Sequence, residues 1–258
     1  MTVEHNVMPG TPPAFPKAIL FDAYGTLFDV HAVVAAAEQM FPGRGESLSQ
    51  LWRRKQIEYS QLRTLADPAG ARYRPFWDVT LDALRFAARA LGLALSAAAE
   101  KRLMDEYACL STYPDTVPTL RTLRARKTPP KLAILSNGNP QMLDIAVKSA
   151  GMNGLFDRVL SVDAVRAYKP SPAAYALGAA AFDAAPADIV FVSSNGWDVA
   201  GAGWFGYRTF WLNRTGAPFE ELGALPAGTG AGMADLLAFL DSPPAAKLAG
   251  RARPAPGA

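Results

Sequence analysis

The segment FDAYGTLFD, residues 21–29, places a carboxylate at the end of a buried apolar run. Asp22 closes the run KAILFD, and Gly25 and Thr26 then turn the chain back over it. A carboxylate held in this way can attack an electrophilic carbon and form an ester. A lone aspartate at a strand end more often only caps a turn. The chemistry therefore depends on which other groups lie beside Asp22.

Polar residues also close or follow the other buried runs of the chain. The carboxyl ends of parallel strands share one edge of a sheet, and ligands of such sheets bind beyond that edge. The residues expected there are Ser136 with Asn137, Asp163, Lys169, and Ser193 with Asn195. An acid, hydroxyls, amides and an ammonium are thus predicted to converge on one rim of the sheet.

Five short apolar runs are predicted to form the strands that position these groups. They cover residues 17–22, 131–137, 158–163, 188–195 and 207–213, and each ends in a polar residue or a turn signal. Helical segments separate most of them, for example 140–150, closed by Gly151, and 172–182, with Ser171 as N-cap. The alternation predicts an α/β fold with a doubly wound, Rossmann-like parallel sheet.

The interval 31–110 departs from this alternation, because it contains helical patterns and no convincing strand. Two apolar stripes lie at helical spacing, one of Leu48, Trp52, Tyr59 and Leu62, the other of Leu81, Leu84, Ala88 and Leu91. We therefore expect an inserted all-helical cap subdomain at 31–110 and an α/β core domain made of residues 16–30 and 111–241. Residues 1–15 and 242–258, rich in Pro, Ala and Gly, are expected to be flexible termini.

The composition of the 258-residue chain excludes several classes of function. Half of the residues are apolar and 19% are charged, as in globular proteins, and a net charge of +3 is too small for a nucleic-acid-binding face. The single cysteine, Cys109, forbids a disulfide framework, and the two histidines, His5 and His31, form no zinc or triad motif. Neither a signal peptide nor a membrane-spanning run is found, so we expect a soluble, cytoplasmic protein.

Four separated motifs resemble those of the haloacid dehalogenase superfamily, whose members carry an aspartate nucleophile after the first strand. The motifs contain Asp22, Ser136, Lys169 and Asp198, and the resemblance spans roughly residues 17–240. It implies an α/β core with a helical cap, and Asp22 as the nucleophile.

Position 24 distinguishes between the chemistries of this superfamily. Its phosphatases resemble D-x-D-x-T, in which the second aspartate protonates the leaving alcohol, whereas this chain has Tyr24. The phosphatases also hold Mg²⁺ with acidic pairs near the last motif, whereas Asp198 is the only carboxylate of SSNGWD, residues 193–198. Magnesium-dependent phosphoryl transfer therefore lacks two of its parts.

Both departures match the (S)-2-haloacid dehalogenases, the branch in which D-x-Y-G-T-L-F-D is a signature. The segment LWRRKQIEYSQLR, residues 51–63, is similar to the first cap helix of that branch, whose arginine after the tryptophan reaches the reacting centre. That arginine is Arg53 here, and Arg54 stands where the branch has a glutamine. LSNG at 135–138, YKP at 168–170 followed by Tyr175, and SSNGWD complete the resemblance.

The resemblance implies hydrolysis of short (S)-2-haloalkanoic acids to (R)-2-hydroxyalkanoic acids and halide, through an ester of Asp22 and with inversion at C2. It implies catalytic roles for Asp22, Thr26, Arg53, Ser136, Lys169, Tyr175, Ser193, Asn195 and Asp198. It implies substrate contacts for Tyr24, Arg54, Ile57, Phe76, Ser136, Asn137, Lys169 and Trp197. No metal and no cofactor is implied. Members of the branch often form homodimers, so the resemblance allows one here.

Within this scheme Asp22 attacks C2 while Arg53, Asn195 or Trp197 cradles the departing halide. Ser136 and Lys169 hold the substrate carboxylate, and Asp198 positions or deprotonates the water that cleaves the ester. Two other interpretations are weighed against it. A superfamily phosphatase with a degenerate acid motif is disfavoured by position 24 and by the single carboxylate of the last motif. A catalytically silent cap-and-core binding protein would have no use for the complete set of charged residues.

Overall fold

The computed structural model describes residues 15–242 and places six parallel strands in one sheet. The strands are β1 Ala18–Phe21, β2 Lys131–Ser136, β3 Arg158–Ser161, β4 Ile189–Ser193, β5 Arg208–Leu212 and β6 Gly228–Gly230. Their order across the sheet is β3-β2-β1-β4-β5-β6. The predicted α/β class with a parallel, doubly wound sheet is confirmed. The expected flexible termini lie, apart from Phe15 and Ser242, outside the described residues.

The five predicted strands match β1 to β5 within two residues at each end. The sixth strand was not predicted. It has only three residues, two of them glycines, and it pairs with β5 at the edge of the sheet. Glycine has a low strand propensity and no side chain to show an alternating pattern, so β6 depends on its neighbour rather than on its own sequence.

The chain reverses its direction of winding between β1 and β4. It runs from β1 to β2 and β3 on one side of the sheet and then returns to β4 on the other side of β1. Every residue of β1 and β4 is buried. The space beyond the carboxyl ends of these two central strands is the topological switch point, where open α/β sheets bind their ligands.

Nine α-helices accompany the sheet in the described part of the chain. They are α1 Val33–Met40, α2 Gly45–Ala66, α3 Phe76–Ala90, α4 Ala97–Ala108, α5 Thr116–Arg124, α6 Pro140–Ser149, α7 Pro172–Phe182, α8 Gly196–Phe205 and α9 Met233–Asp241. The first four lie between β1 and α5, and we call residues 31–110 the helical insert; its limits as a subdomain stay a prediction. None of the helices described is long and apolar enough to cross a membrane.

The apolar stripe predicted for α2 holds for its first half only. Leu48 and Trp52 are buried, but Leu62 is 50% exposed. After Trp52 the buried face of α2 continues through Gln56 and Ser60, which are polar. Gln56 finds its polar partners inside the insert, in Thr80 and Tyr107, whereas Ser60 lines a cavity at the carboxyl edge of the sheet. In α3, Leu84 and Ala88 of the predicted stripe are buried.

The two predicted helix boundaries differ in how the helix is capped. Gly151 follows α6 with a φ of +66°, the left-handed conformation expected of a glycine there. Ser171 stands at the N-cap of α7, but its side chain makes no capping hydrogen bond. Pro172 occupies the first turn of α7 and has no N–H to satisfy, which reduces the need for a side-chain cap.

Candidate active site

Asp22 lies directly after β1, at the carboxyl edge of the sheet, and is 7% exposed. Its Oδ2 accepts hydrogen bonds from the Thr26 hydroxyl and from Asn195 Nδ2, both at 2.9 Å. Its Oδ1 accepts one hydrogen bond, from Lys169 Nζ at 3.0 Å. These charge-assisted contacts fix the orientation of the carboxylate and leave Oδ1 with a lone pair for a further bond.

A tight turn brings Thr26 back to Asp22. Gly25 has a φ of +92°, which L-residues with a side chain rarely adopt, and the Thr26 backbone N–H donates to the carbonyl of Ala23. The Thr26 hydroxyl in turn accepts a hydrogen bond from the backbone N–H of Ser194 at 2.9 Å. The turn after β1 is thereby joined to the loop after β4.

Lys169 is buried between two carboxylates. Its Nζ lies 3.0 Å from Asp22 Oδ1 and 3.0 Å from Asp198 Oδ2. Burial by itself lowers the pKa of the ammonium, but the negative charges of Asp198 and Asp22 outweigh it, and the pKa of Lys169 is raised. The Tyr175 hydroxyl donates to Asp198 Oδ1 at 2.8 Å. One ammonium and one phenol therefore hold Asp198 in place.

Asp198 differs from an ordinary surface aspartate in its proton affinity. Burial, with a contribution from the charge of Asp22, raises the pKa of Asp198 to about 6, although Lys169 acts in the opposite direction. A carboxylate with a pKa near neutrality is suited to accept a proton from water and to return it.

The remaining polar residues at the strand ends hold the loops in place. Ser136, at the end of β2, is buried, and its Oγ accepts the backbone N–H of Gly138 at 3.0 Å. Asn137 Oδ1 accepts the backbone N–H of Lys169 at 3.0 Å. Ser193 Oγ accepts the backbone N–H of Asn195 at 3.1 Å. The predicted side chains at the ends of β2 and β4 thus surround Asp22 and Lys169.

Asp163 does not join this group. It follows β3, two strands away from β1 and therefore roughly 10 Å along the sheet, and its carboxylate accepts the Tyr73 hydroxyl at 2.9 Å. Across residues 15–242, no group of three or more His, Cys, Asp and Glu side chains is arranged to hold a metal ion.

Arg53 reaches the site from α2 of the helical insert. Its Nη2 donates to the carbonyl of Tyr24 at 3.1 Å and to Asn195 Oδ1 at 3.3 Å, and its Nη1 donates to Gln56 Oε1 at 2.7 Å. A guanidinium has five N–H groups. The Nε–H and the second Nη1–H make no hydrogen bond to the described residues, so two donors remain for a ligand.

A small cavity lies between the helical insert and Asp22. It is lined by Asp22, Tyr24, Arg53, Ile57, Ser60, Phe76, Ser136, Asn137, Asn195 and Trp197. Four of these present rings or an aliphatic chain, so the walls opposite the carboxylate are largely apolar. Charge interactions are stronger in such surroundings than in water.

Two predicted substrate contacts do not line this cavity: Lys169, which is fully buried, and Arg54. The Arg54 side chain is exposed and borders a separate recess with His31. Successive residues of a helix point about 100° apart, so the neighbour of a residue that faces the cavity faces elsewhere. Arg53 and Ile57 line both spaces, whereas Arg54 borders only the recess.

The sequence matches known hydrolases over most of its length. A family profile described as haloacid dehalogenase-like hydrolase covers residues 16–206. The (S)-2-haloacid dehalogenase of Pseudomonas sp. (strain YL) is 49% identical over 210 residues, which are 81% of this chain and 88% of that protein. The chain belongs to the haloacid dehalogenase-like hydrolases, in the group of the (S)-2-haloacid dehalogenases.

Solved structures of this group have the same fold. The crystal structure of an L-2-haloacid dehalogenase superimposes with a TM-score of 0.86 at 60% identity. The match covers 89% of this chain and 100% of that one. The L-2-haloacid dehalogenase of Xanthobacter autotrophicus with chloropropionic acid covalently bound gives a TM-score of 0.79 at 40% identity, covering 87% of this chain and 98% of that one.

Four polar residues of this dehalogenase-like site were not predicted from the sequence, and one of them, Ser60, lines the cavity. Gln56, Thr80 and Tyr107 come from α2, α3 and α4 and form a hydrogen-bonded group behind Arg53. Gln56 could have been found, because it lies three residues after Arg53 and therefore on the same face of the helix. Nothing in the local sequence marks Thr80 or Tyr107.

Proposed function

We propose that this chain hydrolyses short (S)-2-haloalkanoic acids to (R)-2-hydroxyalkanoic acids and halide through an ester of Asp22. Its relatives support the reaction, since they are named for this activity and one structure holds chloropropionic acid covalently bound. The observation that carries the proposal is the setting of Asp22, whose carboxylate is fixed by three donors and lines a cavity shared with Arg53 and apolar side chains.

In the first half-reaction an oxygen of Asp22 attacks C2 from the side opposite the halogen. The O–C2 bond forms while the carbon–halogen bond breaks, its electron pair leaves with the halide, and the configuration at C2 inverts. Ile57, Phe76 and Trp197 exclude water from the alkyl group and the halogen.

Ser136 and Lys169 are assigned to the substrate carboxylate. Ser136 Oγ accepts a backbone N–H, so its own hydrogen is available to donate. Lys169 Nζ directs two of its three hydrogens to Asp22 and Asp198, and the third remains. Two donors on one carboxylate fix the position of C2 relative to Asp22, which favours attack on one enantiomer.

The leaving halide is assigned to Arg53. A free N–H group of its guanidinium can stabilise the negative charge that develops on the halogen as the bond breaks. Asn195 is less suited to this role, because both hydrogens of its amide are directed elsewhere, to Asp22 Oδ2 and to the Tyr24 carbonyl.

In the second half-reaction water attacks the ester carbonyl carbon of Asp22. Asp198 accepts one proton of the water and returns it to the alkoxide when the C–O bond of the ester breaks, which releases the 2-hydroxy acid. The second proton goes to solvent, and the carboxylate of Asp22 is restored with one oxygen from water. Lys169 and Tyr175 hold Asp198 for this transfer.

Halide release from the two enantiomers of 2-chloropropionate, with EDTA present, tests the proposed function. We expect the (S) enantiomer to be consumed, (R)-lactate to form and the (R) enantiomer to remain. The Asp22→Asn variant, which keeps the volume of the side chain, should release no chloride. Chloride release from neither enantiomer, or EDTA-sensitive release of phosphate from a phosphate monoester, would contradict the proposal.

A homodimer and a cytoplasmic location complete the proposed function. The family resemblance supports the homodimer. The single cysteine of the 258-residue chain supports the cytoplasmic location, because proteins of reducing compartments rarely carry disulfides. Light scattering after size-exclusion chromatography should give twice the mass of the chain.

A further inference from the structure

The second half of α2 buries a polar side chain directly behind Arg53. Gln56 is 0% exposed, and a buried amide is costly unless its groups find partners. Gln56 Oε1 accepts Arg53 Nη1 at 2.7 Å and the Tyr107 hydroxyl at 3.0 Å. Gln56 Nε2 donates to Thr80 Oγ1 at 2.7 Å. The amide is thus tied to three helices of the insert.

The orientation of the Gln56 amide is determined by Thr80. The Thr80 hydroxyl donates its single hydrogen to the carbonyl of Phe76 at 2.7 Å, so it can only accept from Gln56. Gln56 must therefore turn its NH₂ group toward Thr80 and its oxygen toward Arg53. The reversed amide would place its NH₂ group against the guanidinium, so that two donors would meet. It would also place its oxygen against the Thr80 hydroxyl, so that two acceptors would meet.

Tyr107 holds the same oxygen from the other side. Its ring stacks on that of Tyr24, with centroids 5.5 Å apart and an interplanar angle of 22°, and lies 5.3 Å from that of Trp52. Burial raises the pKa of Tyr107, so its hydroxyl stays a donor at neutral pH. The Tyr24 carbonyl is itself an acceptor of Arg53.

Within the described residues, the acceptors of Arg53 divide between the two sides of the cavity. Its Nη2 is bound by the Tyr24 carbonyl and by Asn195, which both belong to the strand-end loops, whereas its Nη1 is bound by Gln56 alone. Removal of Gln56 would leave the guanidinium attached at one nitrogen, about which it can pivot. The guanidinium would then no longer be held in one orientation.

We propose that Gln56, held by Thr80 and Tyr107, is a positioning residue that aims the guanidinium of Arg53 at the leaving halide. This inference rests on the proposed function, because the halide is the group that Arg53 meets. A fixed donor stabilises developing charge better than one that must be reoriented during the reaction. Gln56 therefore acts on the rate of ester formation.

A purely structural role of Gln56 predicts different kinetics. If Gln56 only completed hydrogen bonds inside the insert, its loss would lower the stability of the protein. It would also slow ester formation from every substrate by the same factor. If it aims Arg53, its loss must matter more for chloride, which is a poorer leaving group than bromide and depends more on stabilisation of its charge. The ratio of the bromide to the chloride rate therefore separates the two roles.

Single-turnover ester formation from (S)-2-chloropropionate and (S)-2-bromopropionate, with enzyme in excess, measures this ratio. Tyr107→Phe removes one hydroxyl and keeps the ring stack, and Gln56→Leu removes all three hydrogen bonds. We expect ester formation from the chloride to slow by about tenfold and about a hundredfold, respectively, the scale of lost transition-state contacts. The bromide to chloride ratio should rise severalfold in both, with little change in the enzyme concentration that gives half the maximal rate. The double variant should be no slower than Gln56→Leu, since both changes act through one oxygen.

Tyr59→Phe and Gln61→Leu are matched controls on α2, because they make the same changes away from Arg53. Both should keep the wild-type rates and ratio, and circular dichroism should show native folding for every variant compared. If Gln56→Leu does not fold, Tyr107→Phe decides alone. An unchanged ratio in the folded variants contradicts the positioning role and leaves the proposed function standing if the wild type releases halide. A wild type that releases none rejects both.

Discussion

The two sides of the reaction cavity hold their charges in different ways. On the core side Asp22, Lys169 and Asp198 form a buried chain of ion pairs with contacts of 3.0 Å. On the insert side the half-buried Arg53 is held by three neutral oxygens. A buried ion pair leaves an unpaired charge when one partner is removed, whereas neutral acceptors can be rehydrated. The core-side charges therefore serve both folding and chemistry, while the insert-side charge remains available for a ligand.

Removal of the core-side ammonium should have the largest effect. Lys169→Met leaves Asp22 and Asp198 buried and facing each other without a cation, at a cost of about 3–5 kcal/mol in the free energy of unfolding. We expect kcat/KM to fall by about a thousandfold or more and urea-induced unfolding to shift to lower concentration. A variant with wild-type stability would show that the ion pairs of the core side are not needed for folding.

Removal of the insert-side guanidinium should separate activity from stability. Arg53→Ala should lower kcat/KM by about a hundredfold, the scale of one lost transition-state contact, and change the free energy of unfolding by less than about 1 kcal/mol. Lys55→Ala, two positions further along α2, is the control and should keep the wild-type rate. A loss of stability as large as that of Lys169→Met would remove the contrast between the two sides.

The decline of the rate in acid should be confined to ester hydrolysis, the half-reaction that uses Asp198. Burial and the charge of Asp22 raise the pKa of Asp198 to about 6; in the ester the charge of Asp22 is absent, so Asp198 loses its ability to accept a proton at a pH below about 6. The rate of ester hydrolysis should then approach a tenfold decrease per pH unit, while ester formation should not follow this titration. Quenched-flow measurement of both steps between pH 5 and 8 distinguishes them. An equal decline of both steps would contradict the assignment of Asp198 to hydrolysis.

The core side could largely be predicted from the sequence because its parts are local. Asp22, Ser136 and Ser193 each close a short apolar run, and the parallel sheet brings such ends to one edge. Asp163 shares the same pattern and yet lies apart, because the order of the strands is not visible in any single run. The sheet was predicted on the same local grounds, except for β6, whose glycines give no signal.

The insert side was less predictable because its contacts join separate helices. Helical periodicity indicated that Arg53 and Ile57 share a face, but not that the buried face of α2 becomes polar at Gln56. Thr80 and Tyr107 meet Gln56 only in the folded insert. Arg54 was expected at the substrate from resemblance; it is exposed and borders only the recess beside the cavity.

The covalent role of Asp22 is the central claim, and the origin of the product oxygen tests it most directly. A single turnover of (S)-2-chloropropionate is run in H₂¹⁸O with enzyme in excess. Mass spectrometry then measures the ¹⁸O content of the product and of the peptide that contains Asp22. If Asp22 attacks C2, the hydroxyl of the first lactate comes from the carboxylate and is unlabelled, and the peptide gains ¹⁸O. Asp22→Asn should show neither event. Labelled lactate together with an unlabelled peptide would mean that water attacks C2 directly, which contradicts the ester mechanism.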